Sequence, residues 1–268
     1  MTTETRPARL IPRLSDLGTD LLVTTRRRRA FTLSLPYVGV ALFAAAMVSG
    51  LWWATPLIAF GIFVAVVTAT HDVVHRALGL GSVATEIALF LLGAVLLESG
   101  HAYRATHLQH HRRFPSPDDP EGRPASMSLL GAVLYGPVFL PRLWAWAFRR
   151  ASRGRRAWLL AEAALPFAAV GAGVLVWRGL LVYATMMIVG SWVYPLLTVH
   201  LPHRRYGEDP LTQTHTLRGR VVPALFLELT YHLEHHLYPQ VPSHNLGELA
   251  RRLDPFLEAA GVHPRRVI

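Results

Sequence analysis

Residues 30–71 read AFTLSLPYVGVALFAAAMVSGLWWATPLIAFGIFVAVVTATH, forty-two consecutive positions without Asp, Glu, Lys or Arg. A membrane-spanning helix needs about 20 apolar residues. The stretch therefore holds two spans, Phe31–Val48 and Leu51–Thr70, turning at Ser49-Gly50. A water-soluble fold would have to bury all of it.

A second hairpin follows. Trp158–Val176 is apolar except for Glu162, Gly179–Val199 is uncharged, and Arg178-Gly179 marks the turn between them. Ala163, Ala164, Ala168, Ala169, Gly171 and Gly173 supply the small residues that let membrane helices approach closely. Two further apolar stretches are too short or too interrupted to span. Ile87–Leu97 has 11 residues between Glu86 and Glu98, and Leu129–Phe148 is broken by Pro137, Pro141 and Arg142. These read as re-entrant or interfacial segments. The expected fold class is an all-α integral membrane protein, with four transmembrane helices in two hairpins, re-entrant or interfacial helices, and a cytoplasmic helical cap carrying histidines. Residues 1–29 form an N-terminal cytoplasmic segment, 30–255 the membrane domain and 256–268 a C-terminal tail.

Composition agrees. The 268 residues are 51% hydrophobic and 16% charged, against about 25% charged in an average soluble domain. All 27 basic residues are Arg, and the net charge is +10. Seven Arg precede the first span, five lie within Arg149–Arg156 before the third, and the two opposite turns hold one between them. This is the positive-inside pattern, which puts both termini in the cytoplasm of a bacterial-type inner membrane. The basic residues flank spans and no nucleic-acid motif accompanies them, so a nucleic-acid role is set aside. Leu10, Leu14, Leu17 and Leu21 recur at helical spacing and predict an amphipathic helix lying on the membrane. Arg28-Arg29 mimics a twin-arginine export signal but reads as the anchor of the first span, because a second span follows at once.

The chain has no Cys, which excludes disulfides, thiolate nucleophiles and cysteine-bound zinc. It has 14 His, eight of them in three clusters: His71 and His75; His107, His110 and His111; His232, His235 and His236. Residues i, i+3 and i+4 share a helix face, so each cluster can aim its imidazoles at one point. Imidazole suits iron, copper, nickel and zinc. Eight rings exceed one coordination shell and suit two ions.

His71 begins where the second span ends, and only 31 residues separate His75 from His107, too few for two spans. The intervening stretch must enter and leave on one side, and the second hairpin returns the chain there before the third cluster. His200 and His203 follow the fourth span at the same boundary, and either could supply a ninth ligand. His203 is preferred, since Pro202 can turn the chain off the helix. A metal-bound imidazole usually donates its other N–H to an acceptor. Asp72, Asp118, Asp119, Glu228 and Glu234 are candidates for that role.

The three clusters and their order resemble the boxes of the membrane fatty acid desaturase–hydroxylase superfamily, over roughly residues 31–255. The resemblance implies a non-haem centre of two Fe ions held by His71, His75, His107, His110, His111, His203, His232, His235 and His236. It also implies O2 as co-substrate and a lipid substrate. Desaturation or hydroxylation of a fatty acyl chain is the expected reaction, with a carotenoid ketolase or hydroxylase as the alternative. Leu201-Pro202-His203-Arg204 with His215 and Arg218 is similar to bacterial carotenoid ketolases. His235-His236-Leu237-Tyr238-Pro239, continuing to Pro242, His244, Asn245 and Leu246, is similar to acyl-lipid desaturases. Acyl-CoA desaturases carry an Asn four residues before the ligand after the fourth span; Val199 stands there, so that detail does not transfer. No catalytic residue beyond the metal ligands is implied. Gly79-Leu80-Gly81-Ser82-Val83-Ala84 lacks the preceding strand of a dinucleotide site, so electrons should come from a separate donor such as ferredoxin with its reductase.

A His-rich membrane metal transporter is the competing class. It would place polar residues deep inside spans, whereas these clusters sit at span ends. A zinc protease lacks its HExxH, and a haem carrier lacks His pairs in facing spans.

Overall fold

The computed structural model describes residues 11–268. Within them, α1 (Leu14–Leu17) and a 3₁₀ turn (Thr19–Leu22) lead into α2 (Arg26–Val48) and α3 (Thr55–Val74). Thr25 caps α2 by accepting the Arg28 N–H, so the helix starts five residues before the apolar run and carries Arg26–Arg29 as its first turn. Gly50, at φ +73°, makes the turn, a left-handed conformation that glycine adopts without penalty. Helix α3 continues past Thr70 to Val74 and so carries His71 in its last turn.

Next come α4 (Ser82–Leu96) and α5 (Gly100–Arg113), which meet at 105°. Leu97, at φ +59°, makes the break, and the Ser99 hydroxyl caps α5 by accepting the Ala102 N–H. A Cβ on Gly100 would lie 2.3 Å from the Leu89 carbonyl oxygen, so this close crossing requires glycine. The 11-residue stretch expected to be re-entrant or interfacial is thus part of a 15-residue helix joined to a second one at a sharp bend. The rings of His75 and His107 end 5.1 Å apart, so the chain returns to where it left.

Helices α6 (Leu129–Leu134) and α7 (Gly136–Arg150) follow, with Pro137 in the first turn of α7. The second hairpin is α8 (Arg153–Leu175) and α9 (Arg178–Gly190), the latter prolonged through a π-helical turn (Pro195–His200) into α10 (Leu201–His203). Among the described residues, four helical stretches are long and apolar enough to cross a membrane: 26–48, 52–74, 153–175 and 178–203. Seventy-eight per cent of the apolar window of the second is buried, against 17% for the first and third, so α3 is the central helix. Tyr183 on α9 ties the hairpins together, donating to the Val95 carbonyl on α4 at 2.6 Å and meeting Phe43 of α2 edge-on at 5.0 Å.

The remaining chain forms a cap: β1 (Leu217–Arg218), α11 (Val221–Leu225), α12 (His232–Leu237), α13 (Leu246–Ala259) and β2 (Arg265–Arg266), with β1 and β2 paired in parallel. Helix α13 runs across position 255. The N-terminal leucines correct the expectation of a membrane-lying helix. Gly18, at φ +113°, ends α1 after four residues. Leu17 and Leu21 are buried against Leu249, Leu253 and Leu257 of α13, so protein rather than lipid covers their apolar face; Leu10 lies outside the described residues. Arg252 fixes this contact, donating to the Leu17 carbonyl and to Asp20.

Candidate metal centre

Each histidine cluster sits where an element ends. His71 and His75 close α3, His107, His110 and His111 form the last turns of α5, and His232, His235 and His236 build α12. These ends converge. Potential ligand atoms of His71, His75, His107 and His235 lie within 4.8 Å of one another, and so do those of His110, His203 and His236. His111 joins the first group, its Nε2 2.8 Å from that of His235 and 3.2 Å from that of His107. His232 joins the second, its Nε2 3.0 Å from that of His203 and 3.2 Å from that of His236. All nine sequence-predicted ligands are therefore brought together, five around one point and four around another. His200 turns away, its Nδ1 3.0 Å from the Pro124 carbonyl. The π-helical turn breaks the helical register just before His203.

The outer contacts fix which nitrogens carry hydrogen. A carbonyl can only accept, so His203, with Nδ1 3.1 Å from the Gln213 carbonyl, holds its proton on Nδ1. Asp119 accepts likewise from Nδ1 of His110 at 2.6 Å. The Nε2 atoms of His110 and His203 face each other at 3.1 Å. Two nitrogens bound at right angles to one ion, at 2.0–2.1 Å each, would be about 3 Å apart, and the His–His contacts match that spacing. Nε2 of His75 is buried with no hydrogen-bond partner, a free donor atom within the first group. Burial first, then neighbouring imidazoles, hold His232, His235 and His236 well below the usual histidine range. These three rings stay neutral, as metal ligation requires. The donor set fits two imidazole-binding cations.

Of the five acidic residues expected around the ligands, only Asp119 bonds an imidazole. Asp72 instead accepts the backbone N–H and hydroxyl of Ser243, at 3.0 and 2.6 Å, and His71 lies 3.8 Å away. Asp118 points to solvent because its neighbour Asp119 takes the inward side of the turn. Glu228 is half-buried beside Gly247 and bonds no histidine. Glu234 lies two residues from His232, on the opposite side of α12, and pairs with Arg218.

The residue missed is Glu121. One oxygen accepts the Thr106 hydroxyl at 2.6 Å and the other lies 3.2 Å from Nδ1 of His107. Burial pushes its carboxyl up to about 7. No spacing pattern in the sequence points to it, because residues 114–122 form an irregular loop. His101, three residues into no cluster, is held by Glu162 and Glu86 at 2.7 and 3.1 Å and stays outside the centre, as does His215, bonded to the Arg204 carbonyl.

Asp119 has a double role, since its other oxygen accepts the Glu121 backbone N–H at 2.9 Å. Asp119→Ala is expected to weaken metal affinity about 10–100-fold, read by chelator competition on purified protein. Unchanged affinity would show that the contact does not orient His110.

A cavity of about 240 Å³ opens against the centre, with His71, His107, His110 and His232 on one side and Phe63, Phe226 and Leu229 on the other. The family model described as fatty acid desaturase matches residues 50–267. None of the curated proteins compared with the chain matches it.

Proposed function

This chain belongs to the fatty acid desaturase family and is a membrane oxidoreductase acting on lipid, and from that premise we propose that it uses two iron ions and O2 to desaturate, or hydroxylate, a fatty acyl chain. The observation that carries the two-metal part is the convergence of imidazole nitrogens on two separate points, with close Nε2 contacts between His110 and His203 and around His235. His71, His75, His107, His111 and His235 would hold one ion, and His110, His203, His232 and His236 the other. The irons, when bound, supply the activation of O2 and the removal of hydrogen from an unactivated C–H bond.

The chain's own residues position and exclude. Phe63, Val64, Leu197 and Phe226 line the cavity beside the histidines and favour an alkyl chain over water. Tyr103 stacks on the His107 ring at 4.8 Å and fixes its plane. Asp119, Glu121 and the Gln213 carbonyl hold hydrogen on the outer nitrogens and leave the inner ones free to bind. No side chain is needed as a general base.

The cluster and both termini face the cytoplasm of a bacterial-type inner membrane, as the Arg-rich starts of α2 and α8 support. Electrons come from a separate acidic carrier such as ferredoxin. For its docking, Arg149, Arg150, Arg153, Arg155 and Arg156 offer cations in no ion pair among the described residues.

Metal analysis of the protein purified from iron-replete cells should give about two irons per chain and little zinc. One zinc and no iron would overturn the two-iron reading.

A further inference from the structure

A second, larger cavity of about 630 Å³ lies among the helices, behind the one that faces the histidines. The two share Val67, Tyr103 and Tyr194 as walls, so they adjoin at the aromatic pair. Phe167, Val170, Leu140 and Trp192 make most of the chamber apolar. Its polar spot is the α4–α5 break, where Glu98 and Ser99 line it together with Glu162 of α8.

These carboxyls differ. Glu162 is fully engaged, one oxygen accepting the Ser99 hydroxyl and the other facing Nδ1 of His101. Glu98 has one oxygen shielded from solvent with no partner, and no cation pairs with it among the described residues. A buried carboxyl without a cation favours its neutral form. It can then both donate and accept, which suits a hydroxyl better than a carboxylate or an ammonium. An unsatisfied polar group in an apolar chamber is costly until something pairs with it.

We infer that the chamber takes the end of the lipid remote from the reacting carbon, and that Glu98 binds a hydroxyl group carried there. This rests on the lipid oxidoreductase reading above and narrows the substrate to one already oxygenated away from the reaction site. The hydroxyl could sit on an acyl chain or on a ring of a polyene.

Competition binding to the metal-loaded protein in detergent, read by native mass spectrometry, tests this directly. One arm offers equal amounts of a long-chain acyl ester and its ω-hydroxy counterpart. The other offers a ring-ended C40 polyene and its ring-hydroxylated counterpart. The hydroxylated member of at least one pair should be bound about tenfold more, and the responding arm identifies the source. Glu98→Leu should bring that ratio to about one, while Glu98→Gln, which still donates and accepts, should keep most of it. Equal binding within both pairs by the unaltered protein overturns the inference, as does a preference that survives Glu98→Leu. The same spectra count bound metal, so loss of the two-iron reading is seen separately from loss of this one.

Discussion

Alanine at position 235 is expected to remove one metal and abolish turnover together, leaving the chain inserted in the membrane. His235 stands at the middle of the first group, with Nε2 2.8 Å from both His71 and His111. Truncation takes away the nitrogen that those two contacts share. The second group keeps His110, His203, His232 and His236, so the metal count should fall from about two toward one rather than to zero. Loss of an outer-shell partner lowers affinity or activity about 10–100-fold; loss of this inner nitrogen should exceed that range. His200→Ala is the matched control, because His200 faces Pro124 and should leave both metals in place. Elemental analysis and turnover on the two variants decide the matter. Two irons and undiminished activity in the His235 variant would remove it from the ligand set.

The second large effect should come from Arg218. Its guanidinium meets Glu234 at 2.5 and 2.9 Å and also Asp254. Glu234 is fully buried, and its other oxygen has no partner. Arg218→Ala would leave that carboxylate buried and unpaired, a destabilisation of about 3–5 kcal/mol. The loss falls on α12, which carries three of the nine convergent histidines, so any metal held there should be lost as the cap loosens. Replacing both partners with apolar residues, Arg218→Met with Glu234→Leu, should be far milder, since no orphan charge remains. Thermal unfolding in detergent compares the three proteins. A single variant within about 1 kcal/mol of the unaltered protein would show that the pair does not hold the cap.

Much of this molecule was legible in the chain. Hydropathy located the spans because lipid imposes a length on any apolar helix, and helical spacing exposed the histidine clusters because three residues on one face must share a target. The departures have physical causes. Periodicity at Leu14, Leu17 and Leu21 reveals an apolar face but not what covers it, and α13 rather than lipid does so. Proximity to a histidine suggested Asp72, Asp118 and Glu234, yet orientation decides. Asp72 reaches 171 residues along the chain to Ser243, and Glu234 looks to the far side of its helix. Glu121 went unnoticed because its contact with His107 crosses a loop whose course no pattern of spacing reports.

The bond from Asp72 to Ser243 has a further meaning for how the protein is made. It joins the end of the second span to a loop near the end of the chain, and His235 and His236 divide themselves between the two groups. Neither group is complete until synthesis has reached His235 and His236. All four candidate spans lie upstream of that point. A bilayer can therefore accept all four helices before either group has its full set of histidines, and metal loading would then wait on folding of the cap.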